Sequence, residues 1–425
     1  MKKNLTYFIC FVCFVFLQNI YANDSTAVQK KPGKIILPKG FNSIIVAENI
    51  GRARHLVVTN SGDLFVRLAR LNKKGQGTII LSDKNKDGVA DDSTGFGNYG
   101  GTGIAIKNGY LYAASDNEVF RYRLNDKMEV VDSTKPEKII TGLIAGRQHN
   151  TKSLALDNDG NLYVNVGAPS NSCQEQDRGV GSRGIDPCPF LEQSAGVWQF
   201  KADKLNQSYN DGVKYATGIR NIVGMDWNTT TNSLFVMQHG RDQLSNMWPQ
   251  YFDSAASAEL PAEELMEVKK GSNFGWPYCY FDQHQNKRVL APEYGGDGKK
   301  TERCDGMDRP VMAFPGHLAP NGLLFYTGTM FPEKYRNGAF IAFHGSWNRA
   351  PLNQKGFFVV FQPFKDGKPS GDYEVFATGF AGRENITNPN QAMYRPCGLA
   401  QGPDGALYVS DDVKGMVWKI NFTGK

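Results

Sequence analysis

The sequence lacks the features that mark helical, zinc-binding or nucleic-acid-binding proteins. Apolar residues rarely recur at the spacing of three and four that an amphipathic helix requires. The formal charge is only +6, and no stretch of the chain forms a basic stripe. After the N-terminal segment, no CxxC pair and no Cys/His spacing suggests zinc. A hydrophobic content of 40%, a charged content of 21% and 46 glycines are typical of a folded protein rich in tight turns.

The N-terminus has the pattern of a secretory signal peptide over residues 1–22. Lys2 and Lys3 precede a short apolar run, Leu5–Leu17, and a small residue, Ala22. An uncleaved N-terminal anchor remains the alternative, because Ile20–Ala22 matches a cleavage site poorly. Residues 23–33 are expected to be a flexible lead-in, and residues 34–425 one catalytic domain. Cleavage would leave a formal charge of +4 and no integral membrane segment, and the protein would be exported to the periplasm or the medium.

The seven cysteines fit an exported protein. Cys10 and Cys13 fall in the signal segment. Because exported proteins meet oxidising conditions, two local disulfides are plausible staples for long loops. We expect them to join Cys173 to Cys188 and Cys279 to Cys304, and we expect Cys397 to be free and buried.

A pattern of two apolar runs around an Asn, Asp or Gly turn occurs six times. In the third copy, Ser153–Leu156 leads through Asn158–Gly160 to Leu162–Val164. Apolar residues at every second position on both sides of such a turn indicate a β-hairpin. The other copies are His55–Val66, Gly103–Tyr112, Gly224–Val236, Gly322–Ile341 and Gly398–Val409.

Six hairpins at roughly regular intervals, with β-rich sequence between them, predict an all-β, six-bladed β-propeller. The last strand, Gly415–Ile420, is expected to form one sheet with Lys34–Leu37 and Ser43–Val46, so that the N- and C-terminal strands close the ring. The interval between the fourth and fifth copies holds a predicted short helix, Leu260–Leu265, and a polar loop from Cys279 to Cys304.

The fourth hairpin shows where a functional site would form. Arg220 and Asn221 precede its first strand, and Gln238–Asp242 follow its second. In an antiparallel hairpin these two ends lie side by side, so both polar groups are expected at one rim. Around a propeller axis, equivalent rims converge. The polar residues at equivalent positions of the other hairpins include Arg54, His55, Gln148–Asn150, Asn321, His344–Arg349, Arg395, Asp411 and Asp412.

Arginines with histidines and amides around an axial funnel suit an anionic, oxygen-rich ligand, because a guanidinium binds carboxylates with two hydrogen bonds. Five segments resemble the soluble glucose/sorbosone dehydrogenase family, and the resemblance covers nearly all of residues 34–425. They are Arg220–Met225, Gln238–Gly240, Asn273–Pro277, His344–Arg349 and Arg395–Gly405.

The resemblance implies a six-bladed propeller that oxidises a sugar or a sugar-derived aldehyde with pyrroloquinoline quinone and Ca²⁺. The electrons would pass to a separate acceptor of cytochrome or quinone type. The resemblance makes His149 the catalytic base, which takes a proton from a substrate hydroxyl while a hydride passes to the quinone. Arg220 and Asn221 match residues that face the quinone oxygens. The backbone carbonyls of His239 and Gly240 match calcium ligands. Other positions implied to contact the cofactor are Arg54, Gln238, His344, Trp347, Arg395 and Asp412.

Three positions differ from the glucose-oxidising members. This chain has Gly101 in place of a glutamine, Gln148 in place of an aspartate and His344 in place of a lysine. Arg54 and His344 are similar instead to residues of the sorbosone or pyranose dehydrogenase branch, which we therefore expect.

A second calcium site is predicted between Asp83 and Asp91. Asp83, Asn85, Asp87 and Asp91 have the spacing of a calcium loop, although Thr94 stands at the twelfth position, where an EF-hand has glutamate. A plain Asp/Gly hairpin turn is the alternative.

Two other functions fit a six-bladed propeller. A calcium-dependent lactonase would use Asn221, Asn348 and Asp412 as metal ligands, which leaves Arg220 and Arg395 without an anion. A non-catalytic propeller that binds glycans or a partner protein is the third possibility, because fold alone does not determine function.

Overall fold

Short antiparallel strands joined by tight turns make up most of the regular structure in the computed structural model, which describes residues 34–424. The predicted signal peptide and lead-in, residues 1–33, lie outside the described residues. Within the described part of the chain, no helix is both long and apolar enough to span a membrane.

The first half of the described chain contains the strands β1 (Phe41–Ala47), β2 (Ala53–Val58), β3 (Leu64–Leu68), β4 (Thr78–Ser82), β5 (Asp92–Phe96), β6 (Ile104–Lys107), β7 (Tyr110–Ala114), β8 (Val119–Arg123), β9 (Glu137–Ile140), β10 (Leu154–Leu156), β11 (Asn161–Val166), β12 (Gly196–Lys201) and β13 (Val213–Thr217).

The second half contains the strands β14 (Ile222–Asn228), β15 (Ser233–Gln238), β16 (Glu263–Val268), β17 (Ser272–Asn273), β18 (Cys279–Asp282), β19 (Lys287–Leu290), β20 (Met312–Phe314), β21 (Pro320–Phe325), β22 (Ala339–Phe343), β23 (Phe358–Gln362), β24 (Phe364–Lys365), β25 (Lys368–Pro369), β26 (Glu374–Ala377), β27 (Pro396–Gln401), β28 (Leu407–Asp411) and β29 (Val417–Phe422). The α-helices are α1 (Leu244–Met247) and α2 (Ser254–Glu259), and short 3₁₀ turns lie at Pro189–Leu191, Tyr209–Asp211, Pro292–Tyr294, Glu302–Cys304, Glu333–Tyr335 and Pro389–Gln391.

The strands form the predicted six blades. From the axis outward, blade 1 is β2-β3-β4-β5, blade 2 is β6-β7-β8-β9, and blade 3 is β10-β11-β12-β13 with β17 added. Blade 4 is β14-β15-β16-β20, blade 5 is β21-β22-β23-β26, and blade 6 is β27-β28-β29-β1. Each of the six predicted hairpins is the inner strand pair of one blade, so the fold prediction is confirmed.

The N- and C-terminal strands close the ring, as predicted. β1 pairs antiparallel with β29, from Phe41 opposite Phe422 to Ala47 opposite Val417. Phe41 also packs edge-on against Phe331 and Phe376 of blade 5, with ring centroids 4.8 and 5.0 Å apart. The N-terminal strand therefore completes blade 6 and also packs this blade against blade 5.

Two details of the strand prediction are wrong. Lys34–Leu37 is not part of blade 6, because Ile36 forms a bridge with Thr378 beyond the outer strand of blade 5. The predicted helix Leu260–Leu265 is an extended segment that leads into β16, and the helix α2 ends one residue earlier, at Glu259. Proline at position 261 disfavours helical backbone at Leu260, and Glu263–Val268 pairs with β15.

Both predicted disulfides form, Cys173–Cys188 and Cys279–Cys304, and Cys397 is free and buried. The two bridged loops pack on each other. The backbone N–H of Cys188 donates to the Tyr278 hydroxyl at 2.9 Å, and the N–H of Gly184 donates to Glu293 O at 3.0 Å. We call residues 167–194 and 279–304 together the disulfide cap.

Candidate active site

The polar ends of the hairpins meet at one face of the propeller, as the strand pairing requires. Ile222 lies opposite Gln238 in blade 4, Pro320 opposite Phe343 in blade 5, and Pro396 opposite Asp411 in blade 6. Residues that precede the innermost strand therefore lie beside those that follow the second strand. We call this side of the molecule the upper face.

Irregular pairing near the upper face was not predicted. In four blades the register shifts within the first four residues of the innermost strand, at Ala53/Leu56, Ile222/Met225, Pro320/Gly322 and Pro396/Leu399. A bulge bends a strand and changes the direction of the side chains beside it. The alternating pattern of a strand does not contain this information, since the extra residue shows only in three-dimensional pairing.

His149 is held in one tautomer. Its Nδ1 lies 2.6 Å from Ala168 O, and because a carbonyl oxygen only accepts, the ring proton must be on Nδ1. This leaves a lone pair on Nε2. Burial lowers the pKa of His149 to about 3, and the charge of Arg220 contributes in the same direction. His149 is therefore a neutral imidazole with Nε2 available to accept a proton.

Arg220 is fixed by the disulfide cap. Its Nη2 donates to the side-chain oxygen of Asn171 at 3.0 Å and to Asp242 Oδ2 at 2.7 Å. Its Nε donates to Asn171 O at 3.2 Å, and its Nη1 donates to Gly240 O at 2.9 Å. These contacts use four of the five guanidinium N–H groups and leave one on Nη1 for a ligand.

Asn171 connects the cap to blade 4 through further hydrogen bonds. Its Oδ1 also accepts from the backbone N–H of Asp242 at 2.9 Å, and its Nδ2 donates to Asp242 O at 3.1 Å. Burial alone would raise the pKa of Asp242, but the Arg220 and Arg178 guanidinium groups hold it below its usual range. Asn171, Arg178 and Asp242 were not assigned roles from the sequence. Asp242 was part of the polar group expected at the rim of the fourth hairpin, and the signal for Asn171 and Arg178 was a run of small and polar residues after β11.

A second charged cluster joins blades 1, 5 and 6. Asp412 accepts from Arg54 Nη1 at 2.8 Å and from His344 Nε2 at 2.7 Å. Burial opposes ionisation, yet the His344 and Arg54 groups hold the pKa of Asp412 far below its usual range. Arg54 also donates to Thr102 Oγ1 at 3.2 Å. Arg395 donates to the His344 and Gly345 carbonyls and forms no ion pair within residues 34–424.

The two clusters are close enough to influence each other. Burial lowers the pKa of His239 to about 3, and the charges of Arg220, Asp242 and His344 also act on it. Its Nε2 donates to Pro320 O at 3.2 Å. The predicted residues of blades 4, 5 and 6 therefore share one electrostatic environment.

Gln238 occupies the rim, but both ends of its amide have protein partners. Its oxygen accepts from the Arg220 backbone N–H at 2.8 Å, and its nitrogen donates to Glu264 at 2.7 Å. The structure thus places Gln238 where it orients the backbone of Arg220. A direct contact with a cofactor remains a prediction.

The site has the features of a polar ligand cradle. The side-chain oxygen of Asn221 is buried and has no hydrogen-bond partner in the described protein. Gly167 lies against it: a Cβ there would be 2.6 Å from His149 Cβ and 2.9 Å from Asn221 Oδ1. Only glycine therefore lets His149 approach Asn221. Buried polar atoms are rarely left unpaired, so Asn221 Oδ1 points to a missing partner.

Trp347 lies at the mouth of the site with 51% of its surface exposed. The Arg178 guanidinium carbon is 5.9 Å from the centre of its ring. Arg178 also donates to Gln148, the residue before His149, at 3.0 Å. Arg178 thus links the aromatic residue, the histidine loop and Asp242.

Gly101 explains one departure from the glucose-oxidising pattern. A Cβ at this position would lie 2.0 Å from Ala114 O and 2.9 Å from Arg67 Nη2. No side chain fits there without a backbone shift. A glutamine at this position is therefore excluded by packing.

The predicted second calcium loop is closed by its own hydrogen bonds. Asp83 Oδ2 accepts from Gly88 N at 2.8 Å, and Asp91 Oδ2 accepts from the backbone N–H groups of Lys84 and Asn85 at 2.7 and 3.0 Å. Asn85 and Asp87 make similar turns. Among residues 34–424, no group of three or more His, Cys, Asp or Glu side chains is placed to hold a metal ion. Such turn contacts form with or without a bound ion, so the second calcium site stays a prediction.

Comparisons with known proteins agree with this geometry. The TrAA12-like family model matches residues 35–423. A pyrroloquinoline quinone-dependent sugar dehydrogenase of Hypocrea jecorina is 23% identical over 444 residues, which covers 96% of this chain and 94% of that protein. A pyrroloquinoline quinone-dependent pyranose dehydrogenase of Coprinopsis cinerea is 26% identical over 278 residues, or 57% of this chain and 37% of that one. An uncharacterised Borreliella burgdorferi protein is 26% identical over 209 residues, and the match covers 49% of this chain and 48% of that protein.

Solved structures share the fold. The calcium structure of a Trichoderma reesei carbohydrate-active enzyme of family AA12 superposes with a TM-score of 0.75 at 19% identity, over 94% of this chain and 99% of that one. The holo pyranose dehydrogenase PQQ domain of Coprinopsis cinerea gives a TM-score of 0.71 at 19% identity, over 91% and 97% of the two chains.

Proposed function

The chain belongs to the TrAA12-like family, and from this membership we propose that it is a quinoprotein oxidoreductase that oxidises a sugar with pyrroloquinoline quinone. The observation that carries the proposal is a neutral His149, with Nε2 free, in a site lined by arginines. A proton acceptor beside an anion-binding cradle suits hydroxyl oxidation by a carboxylate-bearing cofactor.

The donors of the site fit such a cofactor. Arg54, Arg178, Arg220 and Arg395 line it, and within residues 34–424 their ion-pair partners are Asp177, Asp242 and Asp412. Four arginines against three carboxylates leave excess positive charge, and the guanidinium of Arg395 donates to the His344 and Gly345 carbonyls rather than to a carboxylate. The side-chain oxygen of Asn221, which has no hydrogen-bond partner within residues 34–424, is an acceptor and suits a metal ion or a hydroxyl donor rather than the anion itself. Bound pyrroloquinoline quinone would supply the two-electron acceptor.

The protein's own residues would then perform three tasks. His149 Nε2 accepts the proton of a substrate hydroxyl, and the Ala168 carbonyl holds the imidazole in the required tautomer. Arg220 presents its remaining N–H to a ligand oxygen that gains negative charge. Trp347 provides an exposed aromatic face at the mouth, on which a sugar ring can pack.

Calcium is a further part of the proposal. The carbonyls of His239 and Gly240 and the side-chain oxygen of Asn221 are hard oxygen donors of the kind that Ca²⁺ prefers. Gly240 O already accepts one hydrogen bond from Arg220, which leaves its second lone pair for a metal. The Gly240 backbone is held from behind, because its N–H donates to the buried Glu263 carboxyl at 2.8 Å.

We place the substrate in the sorbosone or pyranose class, because His344 and Arg54 contact one carboxylate as a unit and Gly101 excludes a glutamine. We also propose export to an oxidising compartment, supported by two disulfides and the signal-like N-terminus. The lactonase alternative is not favoured. Both oxygens of Asp412 are in ion pairs with Arg54 and His344, so the charge of the one carboxylate in the lactonase ligand set is already neutralised.

Reconstitution tests the proposal. Purified protein is mixed with pyrroloquinoline quinone and Ca²⁺, quinone binding is followed by absorption, and dye-linked oxidation is measured with a panel of sugars. His149→Ala should bind the quinone like the wild type and lose about 10²–10⁴-fold in kcat. His284→Ala changes an exposed histidine on the β18–β19 turn and should retain full activity. No quinone uptake by the wild type would refute the proposal, and lactone hydrolysis without quinone would establish the alternative.

A further inference from the structure

A group of positive side chains lies on the upper face, outside the site itself. Arg52 precedes β2, Arg70, Lys73 and Lys74 lie between β3 and β4, and Lys414 lies between β28 and β29. All five are exposed, and none of their side chains forms an ion pair within residues 34–424. We call these five residues the basic rim.

Strand direction places the basic rim beside the site. β3 and β28 end at the upper face, as Leu68 opposite Ala53 and Asp411 opposite Pro396 show. The loops that follow these strands therefore lie there as well. The backbone N–H of Asn49 donates to Lys414 O at 3.1 Å, which joins the blade 6 loop to the segment before β2.

The rim borders a groove of about 840 Å³ between blades 6 and 1. Four of the five cations of the basic rim line this groove, namely Arg52, Arg70, Lys73 and Lys74. Glu48 is the one acidic residue in the lining. Two exposed apolar side chains lie in the same sector, Leu71 at 44% and Val413 at 43% exposure. Unpaired cations around exposed apolar side chains are typical of an electrostatically steered protein interface.

The rim also connects directly to the proposed cofactor site. Arg52 and Lys414 of the rim are each two residues away from a residue of the site, Arg54 and Asp412. Arg54 and Asp412 form the 2.8 Å ion pair described above. In a ring of six blades, blades 1 and 6 lie opposite blades 4 and 3, and the His149 loop belongs to blade 3. A partner on the rim would thus approach from the side opposite His149.

We propose that the basic rim is the docking surface for an acidic, one-electron redox protein that reoxidises the bound cofactor. This inference depends on the proposed function. Oxidation of one hydroxyl-bearing carbon releases two electrons and two protons. Two partner molecules in turn each accept one electron, and both protons pass to solvent. An acidic polysaccharide is the competing occupant, but the aromatic side chain suited to packing on a sugar, Trp347, is on blade 5 rather than on the rim.

The test compares two charge-reversal variants of equal charge change. Lys73→Glu with Lys74→Glu alters the rim. Lys365→Glu with Lys368→Glu alters exposed lysines of the β24–β25 hairpin, which lies at the opposite face because β23 runs away from the upper face. Both pairs are on the surface, where substitutions change stability little. Sugar-reduced holoenzyme is mixed with an acidic single-haem cytochrome c, and the second-order rate constant is measured at low and high salt.

We expect the wild-type rate constant to fall as salt increases, and the rim variant to lose about tenfold or more at low salt. The β24–β25 variant should remain within about twofold of the wild type. Reduction of the neutral acceptor 1,4-benzoquinone should be equal in all three proteins. A strongly basic cytochrome c should react more slowly with the wild type and faster with the rim variant.

Equal effects of the two variants on the acidic cytochrome, or a rate independent of salt, would overturn the docking proposal. It would also be overturned if the rim variant kept the cytochrome rate but lost salt-sensitive retention on polygalacturonate, since that result identifies a polysaccharide surface. Failure of sugar-dependent benzoquinone reduction in every protein would instead reject the proposed function, and the docking role with it.

Discussion

Asn171 offers the sharpest test of how the disulfide cap builds the site. Replacement by alanine removes two hydrogen bonds accepted by Oδ1, from Arg220 and from the Asp242 N–H, and one donated by Nδ2 to Asp242 O. Asn171 is fully buried, so water does not readily replace these partners. A buried polar group left unpaired costs about 1–3 kcal/mol, and three groups at the lower end of that range, about 1–1.7 kcal/mol each, should lower the free energy of unfolding by about 3–5 kcal/mol in Asn171→Ala.

The expected change in Tm follows from the size of the protein. With an unfolding entropy of about 2.1 cal/mol/K per residue, residues 34–424 correspond to roughly 0.8 kcal/mol/K, so Tm should fall by about 4–6 °C. Arg220 would lose one of its side-chain anchors, and the Kd for pyrroloquinoline quinone should rise at least about tenfold, or about 1.4 kcal/mol. Asn171→Asp retains both accepted bonds and should have a smaller effect on Kd.

A matched control separates positioning from stability. Asn228 is also buried, and its side-chain oxygen accepts from the backbone N–H groups of Thr230 and Thr231 at 2.9 and 3.4 Å, at the opposite end of β14. Asn228→Ala should lower Tm and leave Kd unchanged. Calorimetry gives Tm, and titration of the apoprotein with the quinone gives Kd. If Asn171→Ala keeps Kd within twofold of the wild type, Asn171 does not position Arg220 for the ligand, and the reasoning is wrong.

Three further predictions follow from the same structure. Because burial lowers the pKa of His149 to about 3, this residue stays a neutral base at low pH. The apparent pKa at which kcat/KM falls on the acid side should therefore lie below the ordinary histidine value of about 6.5. An apparent pKa of about 6.5 or higher would contradict this. A variant with serine at both Cys173 and Cys188 lacks a bridge that spans 15 residues and should lose about 3 kcal/mol of stability, which calorimetry measures. Its Kd for the quinone, measured by titration, should rise. An unchanged Kd would show that the disulfide cap does not hold the site. Burial raises the pKa of Asp226 to about 7, so the folded protein binds a proton at this carboxyl more tightly than the unfolded chain does. The stabilisation that this proton provides is complete below about pH 4 and is lost as the pH rises to about 7. Asp226→Asn should therefore raise Tm relative to the wild type at pH 8 more than at pH 4, and an equal difference at both pH values would contradict the argument.

The six hairpins, both disulfides and the closing strand pair were predictable from the sequence. Each depends on a local pattern: alternating apolar residues, a turn between them, or cysteines within one loop. Arg220 and Gln238 were placed at one rim for the same reason, because a hairpin brings its own two ends together. The error at Leu260–Leu265 arose where local composition suggested a helix and pairing with β15 determined a strand.

The rest depended on contacts between distant segments. Asn171 reaches Arg220 and Asp242 only because the cap folds over blade 4, and four bulges at the upper face exist only in paired strands. The sequence shows no basic stripe, yet the ring brings Arg52, the β3–β4 loop and Lys414 together on one rim. The sequence alone thus determined the repeating blade, since its pattern is local. Only the closed ring determined which side chains from different blades meet, because that depends on the order and curvature of the blades.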